Sequence, residues 1–454
     1  MRRILAAILI LLALAFPATA EEDIELSLDT AFASEDETTD WRSLLRPEID
    51  ASGLLGASLP QKKVTILTHY RFGLERYAEH FERLYGGEVE LILCSVNEYS
   101  SKLSNLIAAG SPPDLVVCES AAQPSLVVLS NAGLIQPFDP YITYDAPELQ
   151  HLKNAYDAGL WNDCHYLAPY ELKPIYACIF NPQIFDEYGL QTPWELWLEG
   201  KWDWLAYRDM AEKLNIPKDG GGMKIFGTAI PPFGALAVST GVDYVRMDNG
   251  AYTINLKNAS ITRAENFLND MIYKDDIIKL KAQNAWKSFF QRGTLAVQIT
   301  EFWQIEQLAE LANAAKKGRL GIVPCPQDPA INTGARYDTY AMSGGFALVE
   351  GAQNPEGAAL FIRLCAYLRS YTDESLSDGR AYDIQRLLDN GFTDQNIVQY
   401  LTAADMRDAL VSFGYGFMSD AGGWDFLGDQ NNWTSYVETI LPGIEEKVRE
   451  LTAK

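Results

Sequence analysis

Between Lys62 and Val117 the chain alternates between β-branched runs and helical periodicity, and this limits its possible folds more than any other feature. Lys63 to Thr68 reads as a strand, because valine, isoleucine and threonine fill it and a short loop closes it. Leu74, Tyr77, Phe81 and Leu84 then recur at the period of one helical face, and Gly86-Gly87 ends that helix. Val89 to Val96 is a second strand. A helix carrying Leu103, Leu106 and Ile107 stops at Gly110, and Pro112-Pro113-Asp114 leads into the buried run Leu115-Val116-Val117. Strand–helix–strand–helix–strand specifies an α/β layer, a mostly parallel sheet with covering helices.

The pattern resumes further on. Tyr166 to Phe180 is strand-rich, interrupted by Pro169 and Pro174. Trp204, Tyr207, Ala211 and Leu214 mark a helix starting near Asp203. Ala264, Phe267, Leu268, Met271 and Ile272 form an apolar helical stripe. Leu295 to Ile299 and Gly321 to Pro324 read as short strands. Asn354-Pro355 reads as an N-cap followed by proline in the first turn, opening a helix that turns Ala358, Phe361, Ile362 and Cys365 inward. From about residue 372 the chain is helical, with glycine- and aromatic-rich loops.

The ends of this globular part are set by composition. Arg2 and Arg3 precede the apolar run Ile4 to Phe16, and Pro17-Ala18-Thr19-Ala20 follows. A basic start, an apolar stretch too short to span a bilayer and an A-x-A site form a secretory signal, residues 1–20, with cleavage expected near Ala20. The run contains no cysteine, so no lipobox attachment is expected, and the protein is placed outside the cytoplasm, in the periplasm or at the cell surface. Residues 21–60 are acidic and Ser/Thr-rich and read as a flexible spacer, either a tether or a solvated tail. The chain carries a net charge of −24. So acidic a surface repels phosphate backbones and excludes nucleic acid as an expected partner.

Cysteines stand at 94, 118, 164, 178, 325 and 365, and none has metal-ligand spacing. An even number permits disulfides in an exported chain. However, Cys94 and Cys118 end apolar runs where buried thiols are common, so free thiols are favoured, with Cys164–Cys178 as the pair to test first. No metal and no cofactor is expected.

Several segments, in order, resemble the carbohydrate-type extracellular solute-binding proteins of ABC importers, family 1, the maltodextrin-binding-protein class. They are Ala108 to Val117 (AAGxxPDVV), Asn131 to Asp139 (aGLIxPLD), and Ile179 to Phe185 with Gly189-Leu190 and Pro193-Trp194. Gly293 to Val297 with Trp303, Gly344 to Ala347, and Asn354 to Ala359 complete the set. The resemblance implies a two-lobed, type II periplasmic-binding-protein-like fold with the ligand in the cleft between lobes and closure by hinge motion. It places lobe 1 at residues 61–170 plus 325–370 and lobe 2 at 171–324 plus 371–454, with crossovers near 170–176, 322–326 and 369–372. It also implies a monomer that hands its solute to the permease subunits of an ABC transporter.

A saccharide presents an apolar C–H face and a rim of hydroxyls, so its site needs aromatic platforms beside donors and acceptors. In an α/β lobe these lie beyond the carboxyl ends of strands. His69, Tyr70 and Arg71 follow the first strand; Glu119 and Ser120 follow the third. Tyr170 and Glu171 sit at the first crossover, Ser343 and Gly344 at the glycine motif, and Trp303 at the family's aromatic platform. There Glu301-Phe302 replaces the usual glycine. Tyr415, Phe417 and Trp424 lie in a Gly-rich loop suited to a lid. Asp114 is expected to be a structural cap, and Trp194, Trp197, Trp202 and Trp204 to be packing. A non-sugar solute such as a polyamine, or a sensory subunit using the same cleft, remains the alternative. No motif supports an enzyme: there is no nucleophile elbow, phosphate loop or His-Glu-x-x-His, and no localised carboxylate pair.

Overall fold

The computed structural model describes residues 53–59, 61–70, 73–95, 98–119, 125–282, 284–331, 340–369, 378–406, 409–413 and 432–452. The secretory segment and most of the spacer, with Arg71, Ser120, Tyr415, Phe417 and Trp424, lie outside the described residues.

Strand β1 (Lys63–Thr68) buries Val64, Ile66 and Leu67, as a strand covered on both faces must. Helix α1 (Leu74–Tyr85) turns Leu74, Tyr77 and Phe81 into the same core. It ends at Gly86, whose φ of 63° is the left-handed cap that glycine adopts without strain. Strand β2 (Glu88–Leu93) pairs parallel to β1. Helix α2 (Tyr99–Ala108) returns the chain to β3 (Leu115–Glu119), parallel to the other side of β1. Asp114 is the structural cap expected of it. Its carboxylate accepts from the Thr65 N–H and hydroxyl at 2.8 and 2.9 Å and from the Asn354 N–H at 2.8 Å. The core starts earlier than the spacer reading allows. Leu54 is buried within it, and its carbonyl accepts from the Tyr85 hydroxyl at 2.9 Å.

Strands β4 (Ile135–Gln136) and β5 (Leu167–Pro174) lead to the crossing. Tyr170 belongs to the first core, whereas Ile175 belongs to the second. Strand β6 (Tyr176–Phe180) is the centre of the second lobe's three-stranded sheet. It lies between β7 (Val297–Glu301) and β8 (Gly321–Val323), antiparallel to both. Helices α3 (Pro182–Tyr188), α4 (Trp204–Lys213) and α5 (Ala259–Asn269) pack around it. The tryptophan-rich stretch is packing. Trp202 and Trp204 are buried and donate their indole N–H groups to the Pro324 carbonyl and the Ser239 hydroxyl. Trp194 and Trp197 rest half-buried on the same core.

The return crossing falls later than 322–326. Cys325 still packs in the second core, and Gln327 and Asp328 still bond to it through Trp204 and Arg263. Strand β9 (Tyr340–Val349) makes the passage, with Tyr340 in the second core and Phe346 in the first. It runs antiparallel between β3 and β5, so parallel pairing in the first sheet is confined to β2–β1–β3 and to β9 with β10 (Leu410–Val411). The segment after 371 therefore serves both lobes, not the second alone. Helix α7 (Pro355–Arg369), capped by Asn354, lies across the first sheet and is buried almost all round, down to Arg369 at its end. Helix α9 (Asp394–Ala404) covers β8, α8 (Asp378–Asp389) packs between α7 and α9, and α10 (Trp433–Thr452) seals the second core with Trp433, Val437 and Ile444.

All of the cysteines are free. The Cys164–Cys178 pair does not form. Cys164 lies in the hairpin strand Cys164–His165, whereas Cys178 is the midpoint of β6 in the other lobe.

Candidate functional site

Strands β1, β3 and β5 carry their polar residues to one edge of the first lobe, and local turns fix each side chain there. The Thr68 hydroxyl donates to the Tyr70 carbonyl at 2.7 Å and accepts from the Tyr70 N–H at 3.1 Å, which bends the chain as β1 ends. His69 packs edge-on against Tyr70 and Tyr99, with ring centroids 4.8 and 5.7 Å away. Its burial lowers the imidazole pKa, disfavouring the charged ring. The Tyr99 hydroxyl lies 2.9 Å from the Leu67 carbonyl and 2.8 Å from that of Val117, tying the ends of β1 and β3 together.

Gly344 stands in register with Glu119 on one side and Glu171 on the other. Directly paired residues share a face of the sheet, so the two carboxylates flank a position with no side chain. A Cβ at Gly344 would sit 3.0 Å from Glu171 Cγ, which is the reason for glycine there. Glu119, the last residue of β3, receives no hydrogen bond or ion pair from the described residues. Burial, reinforced by Glu171 and opposed by Lys173, pushes its carboxyl up to about 7.

Glu171 anchors a buried ionic network that reaches the second lobe. Arg369 pairs with Glu171 at 3.2 Å, with Asp383 of α8, and with the Tyr77 hydroxyl. Lys173 lies 3.5 Å from Glu171 and 3.3 Å from Glu306, and the Tyr400 hydroxyl of α9 donates to Glu306 at 2.6 Å. Desolvation disfavours both cations, yet the surrounding carboxylates hold the Lys173 and Arg369 pKa values above their usual range. Glu306 sits on α6 (Phe302–Gln307) of the second lobe, so Lys173–Glu306 joins the two lobes directly. The C-terminal third thus contributes Asp383 and Tyr400 to this edge.

The second wall is built differently. Helix α6 starts where β7 ends; Phe302 is buried and stacks on Tyr400 at 5.2 Å, leaving Trp303 42 % exposed. Its indole N–H donates to Glu301 at 2.9 Å, and the Gln304 amide donates to the same oxygen at 3.0 Å. The departure from the family's glycine therefore supplies the acceptor that fixes the indole.

Of the residues expected at the site, His69, Tyr70, Glu119, Glu171 and Gly344 come together on the first lobe, and Trp303 is exposed on the second. Two are corrected. Tyr170 is buried in the first core at the β-bulge, stacked on Phe346 at 5.2 Å and bonded to the Tyr70 hydroxyl, so it supports Tyr70 instead of facing solvent. Ser343 is fully buried, because alternation along β9 turns it to the opposite face from Gly344. Lys173, Glu301, Glu306 and Arg369 were missed. For Arg369 a signal existed, since a charge closes the apolar run Leu364–Leu368 at the end of the helix. Among the described residues no His/Cys/Asp/Glu group could hold a metal ion, and no helix is long and apolar enough to cross a membrane.

Residues 73–366 match the profile of the bacterial extracellular solute-binding protein family, well over half of the chain. The chain belongs to that family. Its members are binding proteins, not enzymes. Solved structures share the fold of this solute-binding protein. An ABC substrate-binding protein from Listeria monocytogenes, in complex with cycloalternan, is 17 % identical with a TM-score of 0.59 over 86 % of this chain and 98 % of that one. An extracellular solute-binding protein from Staphylococcus aureus in complex with maltose is 15 % identical, with a TM-score of 0.59 over the same shares. A receptor from Streptomyces glaucescens, solved unliganded and with acarbose, is 16 % identical at 0.59, again over 86 % and 98 %. Among curated proteins, no sequence match was found.

Proposed function

We propose that this solute-binding protein captures a mono- or oligosaccharide between its lobes and delivers it to an ABC importer. What supports this reading is an exposed, hydrogen-bonded indole at Trp303 on one lobe together with the polar row Glu119, Glu171 and Tyr70 at the edge of the other. An indole face suits the apolar side of a pyranose, and carboxylate and phenol groups suit its hydroxyls. The ligands of the structural relatives, cycloalternan, maltose and acarbose, support the same class. His69 and the backbone beside Gly344 complete the site. Arg71, Ser120, Tyr415 and Trp424 are its further proposed contacts from outside the described residues.

The lobes proposed are residues 61–170 with 325–370 and 171–324 with 371–454, adjusted so that all of β5 to Pro174 stays in the first lobe, and for the later crossing at β9 and the return of β10 to the first sheet. The leader of residues 1–20 exports the chain, which works as a monomer and closes on its solute by a hinge. A polyamine site is disfavoured, because it needs several free carboxylates and Lys173 and Arg369 already pair with Glu171, which leaves Glu119 as a single acid without a countercharge among the described residues.

The test is a thermal-shift screen of sugars, oligosaccharides and polyamines on the mature protein. A true ligand at 100 times its Kd adds about 2.7 kcal/mol of stability. A shift produced by polyamines alone overturns the saccharide reading.

A further inference from the structure

The acids around the cleft differ in one respect. Glu171 is held by Lys173 and Arg369, Glu306 by Lys173 and Tyr400, Asp383 by Arg369, and Glu301 by the N–H groups of Trp303 and Gln304. Glu119 alone among these has no donor from the described residues, and it is partly exposed at the edge of the first lobe. The titratable and charged groups that face it are Tyr70 from the end of β1 and Glu171 and Lys173 from β5. Lys173 is already committed to Glu171 and Glu306.

A carboxylate left without a donor in a partly desolvated site is costly, and a ligand that supplies the donor recovers that cost. A hydroxyl supplies one hydrogen bond and leaves the repulsion between Glu119 and Glu171 in place. An ammonium supplies several donors and also the missing positive charge, beside the gap that Gly344 leaves between the two acids.

We infer that the preferred solute is an amino sugar, or an oligosaccharide containing one, and that Glu119 receives its ammonium group. This rests on the saccharide reading above and narrows it to a chemical class.

The experiment titrates the mature protein with pairs that differ in an amine for a hydroxyl: glucosamine and glucose, galactosamine and galactose, mannosamine and mannose, chitotriose and cellotriose. At least one amine member binds tenfold or more tighter than its partner at pH 7. That preference shrinks as pH falls from about 7 to 5.5, because Glu119, whose carboxyl stands at about 7 in the empty cleft, must then release a proton to meet the cation. Glu119→Gln erases the preference and its pH dependence, and Glu119→Asp, which keeps the charge, retains its sign; far-UV circular dichroism checks that both variants fold. Hydroxyl members that bind as tightly as their amine partners overturn the inference and leave the saccharide reading standing. A preference that survives in Glu119→Gln overturns the role of Glu119. No binding by any pair overturns the saccharide reading itself, and the inference with it.

Discussion

The two walls of the cleft reach similar polarity by opposite means. On the first lobe the polar groups stand on strands of one sheet, and register alone sets Glu119, Gly344 and Glu171 side by side. On the second lobe the groups stand on α6, a short helix beginning where β7 ends, and one indole is left exposed above a buried phenylalanine. Groups on a paired sheet move only with the sheet. A six-residue helix can tilt at less cost. On the proposed reading, the first wall is the rigid polar recogniser and the second an adjustable apolar lid. Lys173–Glu306 is the contact through which each wall senses the other.

Removing Arg369 breaks the rigid wall most severely. Arg369→Met keeps much of the packing but leaves Glu171 and Asp383 buried with less countercharge. Losing one partner of such a network costs about 3–5 kcal/mol. Urea denaturation measures the loss; a change below about 1 kcal/mol means that the network does not stiffen this wall.

How much of this was legible in the sequence follows the same division. Strands β1 to β3 and helix α1 were readable because their apolar period is local and both of its signals, β-branching and 3-4 spacing, agree. Asn354 was readable as a cap because proline follows it. Trp303 was singled out by the family resemblance, and Glu119 because it closes a strand. The Glu119–Gly344–Glu171 row was not, because register between residues more than 150 apart in sequence leaves no local trace. Tyr170 was misplaced because a bulge changes which face a residue takes, and no nearby residue signals it. Glu306 looks like any helix-surface acid until Lys173 of the other lobe is seen beside it.

A carboxyl near 7 has a different consequence in each lobe. In the first, Glu119 opens on the cleft. In the second, Glu265 of α5 is sealed in the core; Tyr244 donates to one oxygen, the other lacks a partner, and burial pushes the pKa up to about 7. The folded state keeps this proton, whereas the unfolded state releases it near 4.5. Its stabilising contribution is thus fully present below about 4.5 and is lost as pH rises to about 7, by roughly 3 kcal/mol. Glu265→Gln removes that slope. Denaturation curves at pH 4.5 and 7.5 that fall equally for the variant and the wild type rule out Glu265 as its source.

The adjustable wall is probed by Trp303→Ala. Trp303 is 42 % exposed and its indole makes one hydrogen bond, to Glu301, so its removal costs folding no more than about 1 kcal/mol. Losing a platform costs saccharide binding roughly tenfold, about 1.4 kcal/mol. Calorimetric titration with the best ligand of the screen reads this directly; unchanged affinity removes Trp303 from the site.

Gly344→Ala is the finest test, since it alters the first wall without altering its charge. Backbone freedom is not at issue, because Gly344 lies within β9. The new methyl meets Glu171 Cγ at 3.0 Å and Oε1 at 3.1 Å. Glu171 cannot swing aside freely, because Lys173 and Arg369 hold both of its oxygens. Crowding of this kind costs about 1 kcal/mol of stability. It also fills the gap beside Glu119, so affinity should fall by a factor of about three to ten. If α6 is the wall that adapts, lengthening the ligand by one sugar unit recovers part of that loss in Gly344→Ala through contact with Trp303. It recovers none in the double variant that also lacks the indole. Equal recovery in both places the adaptable element elsewhere and dissolves the division between a rigid and a yielding wall.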